Sequence, residues 1–388
     1  MGWGCAKREG FAGRTDNEEQ KSRKPLHGDW GANRYRAGCI YLYGLSLAKG
    51  GGVETAMAKG KPNKQHRTRA QHYVPRFYLS GFTNPKGKLS CYDKAGDKVY
   101  TTSPAEAAQE TDFYEIKPGT TKETVPVNMV ENRLAIIERH YAPLIGKLIK
   151  AADTGKMTID QLEEIAPFVA VQWLRTKAVR DMTHYMIERA YQTLCDDLIK
   201  LNFPGKNAKV RATYPKEAMA AFHAEQMFDG KTIMEIAIRL VQHIWVIGIN
   251  RTNHLFYTSD HPVCRRANCE FDGRPGTGFR DPGVEVVFPL DSHHVLLIME
   301  RNHFRAWRPY DAKTRDLTEA QVADYNRLQV RNSGQRLYCA EDDFDDARGL
   351  CAQEPELRDP NRPRAIVGST PFFRDGDELK NYTYVITT

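Results

Sequence analysis

The stretch Gln71-His72-Tyr73-Val74-Pro75-Arg76-Phe77-Tyr78-Leu79-Ser80-Gly81-Phe82 sets the reading of this chain. Five aromatic or imidazole rings crowd into twelve residues, with a proline and an arginine among them. Rings at this density need a core to pack against, so the folded body is expected to begin here.

What precedes the stretch is different in kind. Residues 1–70 hold 14 Lys/Arg and 6 Asp/Glu, whereas the remaining 318 hold 42 and 43. The formal net charge of +7 therefore belongs to the leader, and the body gives no global argument for nucleic acid. Residues 1–69 read as a basic, disordered leader without sustained periodicity. Met57-Ala58-Lys59-Gly60-Lys61 looks like a translation start, which makes 1–56 an expected start-site over-call. No run approaches 18 apolar residues, so no membrane span is expected.

Downstream, Lys88–Tyr92 and Lys98–Thr102 read as a hairpin, and Thr111–Ile116 as a further strand. Val130, Leu134, Ile137, Tyr141, Leu144 and Leu148 recur at helical spacing within a helix over 128–152. Thr158-Ile159-Asp160-Gln161 is a capping box that opens a helix running to about Asn202, with Pro167 the expected kink. Helices over 216–228 and 232–242 follow. Ile244–Ile249 and Leu255–Thr258 read as a hairpin, and Val284–Phe288 with Val295–Met299 as another strand pair. Thr318-Glu319-Ala320-Gln321 caps a last helix, before a strand at Arg336–Cys339. This order implies an α+β fold: a single domain over 70–340, with a helical middle packed against a largely antiparallel sheet. Residues 341–388 read as a polar extension.

Three segments together carry a resemblance. They are Gln71–Leu79, Gln172-x-x-Arg175-Thr176, and Thr258-Ser259-Asp260-His261-Pro262-Val263. In order and spacing the set resembles the bacterial domain-of-unknown-function family 4238, over roughly 70–340. Phe288-Pro289-Leu290 and the helix bearing Asn326 are similar to further family features. Lys177 departs from the pattern, where a proline is expected, and the 264–283 loop is longer than expected. The resemblance implies a fold and no chemistry.

Chemistry must therefore come from the residues, each with two readings. His72 is a general base or metal ligand, or else a core histidine with both nitrogens hydrogen-bonded. Arg76 binds phosphate or carboxylate, or stacks on Tyr73 or Phe77. Gln172 and Arg175 share one helix side; they line a pocket, or form an internal network with Glu131 or Glu138. Asp260 orients His72 or binds a divalent ion, or else holds a turn by accepting backbone N–H groups. Cys264 and Cys269 make a zinc site only with further ligands such as His261. Otherwise the eight scattered cysteines are reduced thiols of a cytoplasmic protein. No G-x-S-x-G, P-loop or H-E-x-x-H motif occurs.

Two functions follow as expectations. One is an intracellular hydrolase of a phosphodiester or nucleotide. In it the arginines hold phosphate, His72 moves a proton, and Asp260 orients it or holds a divalent ion. The other is a non-catalytic binding or regulatory protein, such as a stress or phage-defence sensor, in which these polar residues form a structural network.

Overall fold

The computed structural model describes residues 67–122, 124–202, 210–271, 274–275, 277–363, 365–375 and 378–387. These residues fall in one compact unit. The leader through residue 66, with the expected start at Met57, lies outside them.

In chain order the elements are β1 (Ala70–His72), α1 (Arg76–Leu79), β2 (Leu89–Asp93), β3 (Lys98–Thr102) and β4 (Gln109–Thr111). The helical middle comprises α2 (Met129–Asp153), α3 (Ile159–Leu174), α4 (Lys177–Asn202), α5 (Lys216–Phe228) and α6 (Gly230–Val241). Then come β5 (Ile244–Asn250), β6 (Thr258–Ser259), β7 (Cys264–Ala267), β8 (Glu270–Phe271), β9 (Arg274–Pro275), β10 (Val284–Pro289), β11 (His294–Met299) and β12 (Lys313–Leu317). α7 (Glu319–Asn332), β13 (Arg336–Cys339), α8 (Asp345–Gln353), β14 (Ala365–Asp375) and β15 (Glu378–Thr387) complete the series.

The fold is α+β. A five-stranded sheet runs β12-β5-β11-β10-β7, antiparallel except for the β12–β5 pair, and a four-stranded sheet runs β3-β2-β13-β6. β1 and β4 form a separate short ribbon in which His72 stands opposite Gln109. α2 buries Val130, Leu134, Ile137, Tyr141 and Leu148 as the periodicity implies, with Ile145 rather than Leu144 completing the stripe. α3 is capped by Thr158 and Gln161, which exchange hydrogen bonds across the first turn. It is buried nearly all round, the signature of a helix in mid-core, and it packs against α2 and α6. Phe168 of α3 meets Phe77, Tyr141 and Phe288 at ring distances of 5.8, 5.4 and 6.4 Å, so one side chain joins the opening stretch, α2 and β10.

Three expectations need correction. The long helix from Thr158 does not bend at Pro167; it stops after Leu174, and α4 begins at Lys177. Thr176 is the reason. Its hydroxyl turns back to the Trp173 carbonyl at 3.1 Å and also meets His261 Nδ1 at 2.7 Å, fixing the break from both sides. Ile244–Ile249 and Leu255–Thr258 are not hairpin partners. β5 pairs with β11 and β12, whereas β6 pairs with β13 in the other sheet. Asn250 sets this crossing: its side chain bonds both Thr252 N and the His254 carbonyl, folding the loop that carries the chain between sheets. The third correction is at Thr111–Ile116, where only Thr111 is in a strand; the pairing segment is Gln109–Thr111.

Within 341–388, Phe344, Ala347, Leu350, Cys351 and Leu357 pack with Tyr92, Tyr257, Val330 and Leu337 in a second apolar cluster. Beyond it, β14 and β15 pair antiparallel. No helix among the described residues is long and apolar enough to cross a membrane.

Candidate functional site

The break between α3 and α4 places Arg175. It caps α3 and is 1% exposed, among the largest fully buried side chains. A buried guanidinium needs a counter-charge and acceptors in reach. Nη1 donates to Glu138 Oε1 at 2.8 Å, and Nη2 donates to the backbone carbonyl of His72 at 2.6 Å. Burial by itself lowers the pKa of Arg175, but the Glu138 carboxylate and Tyr114 outweigh it and the net shift is upward. The internal salt bridge that spacing allowed is therefore present, and Glu138 is the partner. Arg175 Nε has no hydrogen-bond partner.

His72 follows from the same geometry, its carbonyl held by Arg175. Its Nε2 stands 3.0 Å from the Ala105 carbonyl, which can only accept, so the proton is on Nε2 and Nδ1 keeps a lone pair. Burial lowers its pKa below the usual histidine value, with Arg76 and Arg175 acting in the same direction, so the ring is neutral at pH 7. It is not the core histidine with both nitrogens engaged.

His72 and Arg175 line one cavity of about 320 Å³ together with Arg76, Gln109, Glu131 and Glu138. Arg76, Ala105, Ala135 and Glu138 also border a broad, open depression beside it, so the cavity communicates with the surface. Arg76 is exposed, and among the described residues its guanidinium makes no hydrogen bond, ion pair or ring contact; it does not stack on Tyr73 or Phe77. Glu131 lies one α2 heptad before Glu138. Burial pushes its carboxyl up to about 7, with Glu138 adding to that and Arg175 opposing it. Its buried Oε1 has no hydrogen-bond partner, and neither does Gln109 Oε1. Each such buried polar atom costs about 1–3 kcal/mol when left dry, so the walls call for a polar occupant.

Gln172 is wholly buried one turn before Arg175 on α3, with neither amide atom hydrogen-bonded. It is not among the residues lining the cavity.

Asp260 stands elsewhere. Its carboxylate accepts from the backbone N–H groups of Gly334 (2.6 Å), Gln335 (2.6 Å) and Arg336 (2.9 Å). A Cβ on Gly334 would lie 3.0 Å from Asp260 Oδ2, so the turn between α7 and β13 is built around this carboxylate. Asp260 lines a second cavity, not that of His72. The structure thus brings His72, Arg76 and Arg175 together and does not bring Asp260 or Gln172 to them.

The motif around Asp260 is a joint. Thr258 Oγ1 meets Tyr78 OH at 2.7 Å, Ser259 Oγ donates to Gln329 Oε1 at 2.8 Å, and His261 meets Thr176. All three segments singled out in the sequence are tied here. Cys264 Sγ faces the His261 carbonyl and Cys269 Sγ the Pro282 carbonyl, and the six cysteines among the described residues are free thiols. No group of three or more His, Cys, Asp or Glu suited to a metal ion occurs among the described residues.

Glu131 and Glu138 were visible in sequence as candidate partners of Gln172 and Arg175 in an internal network, not as groups lining a cavity. Gln109 had no signal; it reaches the site through the register of a three-residue strand.

The family described as "Protein of unknown function (DUF4238)" matches residues 70–343. No curated protein matches the chain, and no solved structure does.

Proposed function

Because the chain belongs to the protein family of unknown function DUF4238, membership supplies no reaction, and we propose from its site that it is an intracellular hydrolase of a phosphodiester or nucleotide. The observation carrying this reading is one surface-connected cavity that holds a neutral imidazole, a carboxyl titrating near neutrality and a cation with no partner among the described residues. These are a base, an acid and an anion receptor. The free thiols support a reducing, intracellular setting.

The roles follow from the chemistry. Arg76 receives the phosphoryl oxygens, and Arg175 supplies positive potential from behind. His72 Nδ1 takes a proton from the attacking water as its oxygen bonds to phosphorus. Protonated Glu131 gives its proton to the ester oxygen as the phosphorus–oxygen bond breaks. The products are an alcohol and a phosphate monoester, or inorganic phosphate from a monoester. The proton on His72 returns to Glu131 through solvent. Asp260 has no part in this scheme.

The test is hydrolysis of bis(p-nitrophenyl) phosphate and a panel of nucleotides by the purified full chain. Turnover that falls at least about a hundredfold in His72→Asn supports the reading, since a positioned base is worth roughly 10²–10⁴ in rate. Tight nucleotide binding without turnover favours the second reading, a ligand-binding regulatory protein. One observation favours it: both Nη atoms of Arg175 are already used by protein groups.

A further inference from the structure

The second cavity, where Asp260 stands, adjoins the first. It has a volume of about 130 Å³, and its wall includes Tyr73, Gln109, Glu110, Lys177, Asp181 and Arg336. Gln109 lines both cavities. At two further places, residues next to or two apart in sequence divide between the two: His72 and Tyr73, Arg175 and Lys177. Three chain segments therefore border both compartments.

The chemistry of the second compartment is not that of the first. Lys177 is bound to Glu110 at 3.1 Å and stands 3.9 Å from Asp181. Arg336 Nε is buried without a hydrogen bond, the Asp93 carboxylate standing 3.9 Å away. Three carboxylates (Glu110, Asp181, Asp260) against two cations leave no surplus of positive charge for a second phosphate. Interleaved donors and acceptors beside an aromatic residue suit hydroxyls and ring nitrogens instead. The space equals about four waters at their liquid volume, enough for one small ring.

We propose that the Tyr73–Lys177–Asp181 cavity is the nucleoside subsite of this protein, taking the sugar or base of a nucleotide whose phosphate lies against Arg76. The proposal rests on the hydrolase reading for the phosphate end and extends it to the substrate class: a nucleotide, not a simple phosphodiester. Gln109, facing both compartments, is the positioning residue at the junction.

Calorimetric titration of the full chain with adenosine 5′-monophosphate and with inorganic phosphate tests it, in the native protein and in Lys177→Gln and Asp181→Asn. Both side chains are about half exposed, so neither variant threatens the fold. The expected result is nucleotide binding at least about tenfold tighter than phosphate, since added hydrogen bonds to charged groups carry that much. Each variant weakens the nucleotide about tenfold. Phosphate affinity changes by less than about twofold. The two substitutions change charge in opposite senses, so a purely long-range effect moves affinity in opposite directions; that outcome overturns the subsite. Equal affinity for nucleotide and phosphate also overturns it and leaves the hydrolase reading intact. Binding of neither overturns the hydrolase reading and the subsite with it.

Discussion

Arg175 holds His72 by its backbone: the guanidinium donates to the His72 carbonyl at 2.6 Å while its other terminal nitrogen is paired with Glu138 at 2.8 Å. The side chain that fixes the β1 strand is thus the one that charges the cavity floor. Structure and electrostatics are coupled in one residue, which makes the ion pair the first place to test.

Arg175→Met leaves Glu138 without its partner and the His72 carbonyl without its donor. Breaking a buried pair costs about 3–5 kcal/mol, less here because Glu138 is a quarter exposed, so a loss of roughly 2–3 kcal/mol is expected. The double variant Arg175→Met with Glu138→Gln is expected to recover part of it. Urea denaturation of the single and double variants measures both.

The pH–rate profile follows from two shifts. His72 must be neutral to act as base, and its pKa lies below the usual value, so the acid limb falls below about 6.5. Glu131 must be protonated to act as acid, so activity declines as pH rises through about 7. A narrow bell is expected, and Glu131→Gln is expected to abolish the alkaline limb along with most of the rate. The same raised pKa bears on stability. The folded state holds the Glu131 proton more tightly than the unfolded state, so its contribution worsens as pH rises from about 4.5 through about 7. Thermal unfolding of Glu131→Gln against pH is expected to show a relative gain at pH 8 that vanishes near pH 4.

His294 provides a second pH dependence away from the site. Its Nδ1 meets Asp291 at 2.9 Å and its Nε2 meets Asp153 at 3.0 Å, joining the end of α2 to the β10–β11 hairpin. Burial lowers its pKa, but the two carboxylates outweigh this and the net shift is upward. A raised folded pKa means the contribution is complete below the unfolded value of about 6.5 and is lost as pH rises through the folded value. His294→Gln is expected to lower Tm at pH 6 and to converge on the native protein at alkaline pH.

Asp260 separates a structural carboxylate from a catalytic one. Asp260→Asn keeps one acceptor oxygen and replaces the other by an NH2 that cannot accept, so one or two of the three backbone N–H groups lose their partner, and a loss of about 2 kcal/mol is expected. Gly334→Ala, which crowds the same carboxylate, is expected to destabilise as well. Neither is expected to change the pH–rate profile of the protein that remains folded. Differential scanning calorimetry and kinetics on the same samples distinguish the two effects.

How far the sequence could be read depended on whether the signal was local. The capping boxes at Thr158 and Thr318 and the α2 stripe are local, and all were legible. The helix break at Thr176 was not, because it depends on His261, eighty-five residues away. His72, Arg76 and Arg175 stood out as ionisable groups among apolar neighbours. Asp260 stood out by the same rule, yet its environment is a turn, and that is fixed by a glycine 74 residues later. Glu131 differs from any helical glutamate only through burial, which periodicity at the edge of a stripe does not disclose.

The most direct test of the account is kcat/KM for phosphodiester hydrolysis in Arg76→Ala, measured beside its Tm. Among the described residues the Arg76 guanidinium touches no partner, so its removal is expected to leave Tm within about 1 °C. If the cavity is the catalytic centre, kcat/KM falls about a hundredfold, the scale of one lost charged contact to the transition state. Unchanged kcat/KM in a folded Arg76→Ala protein would contradict the account.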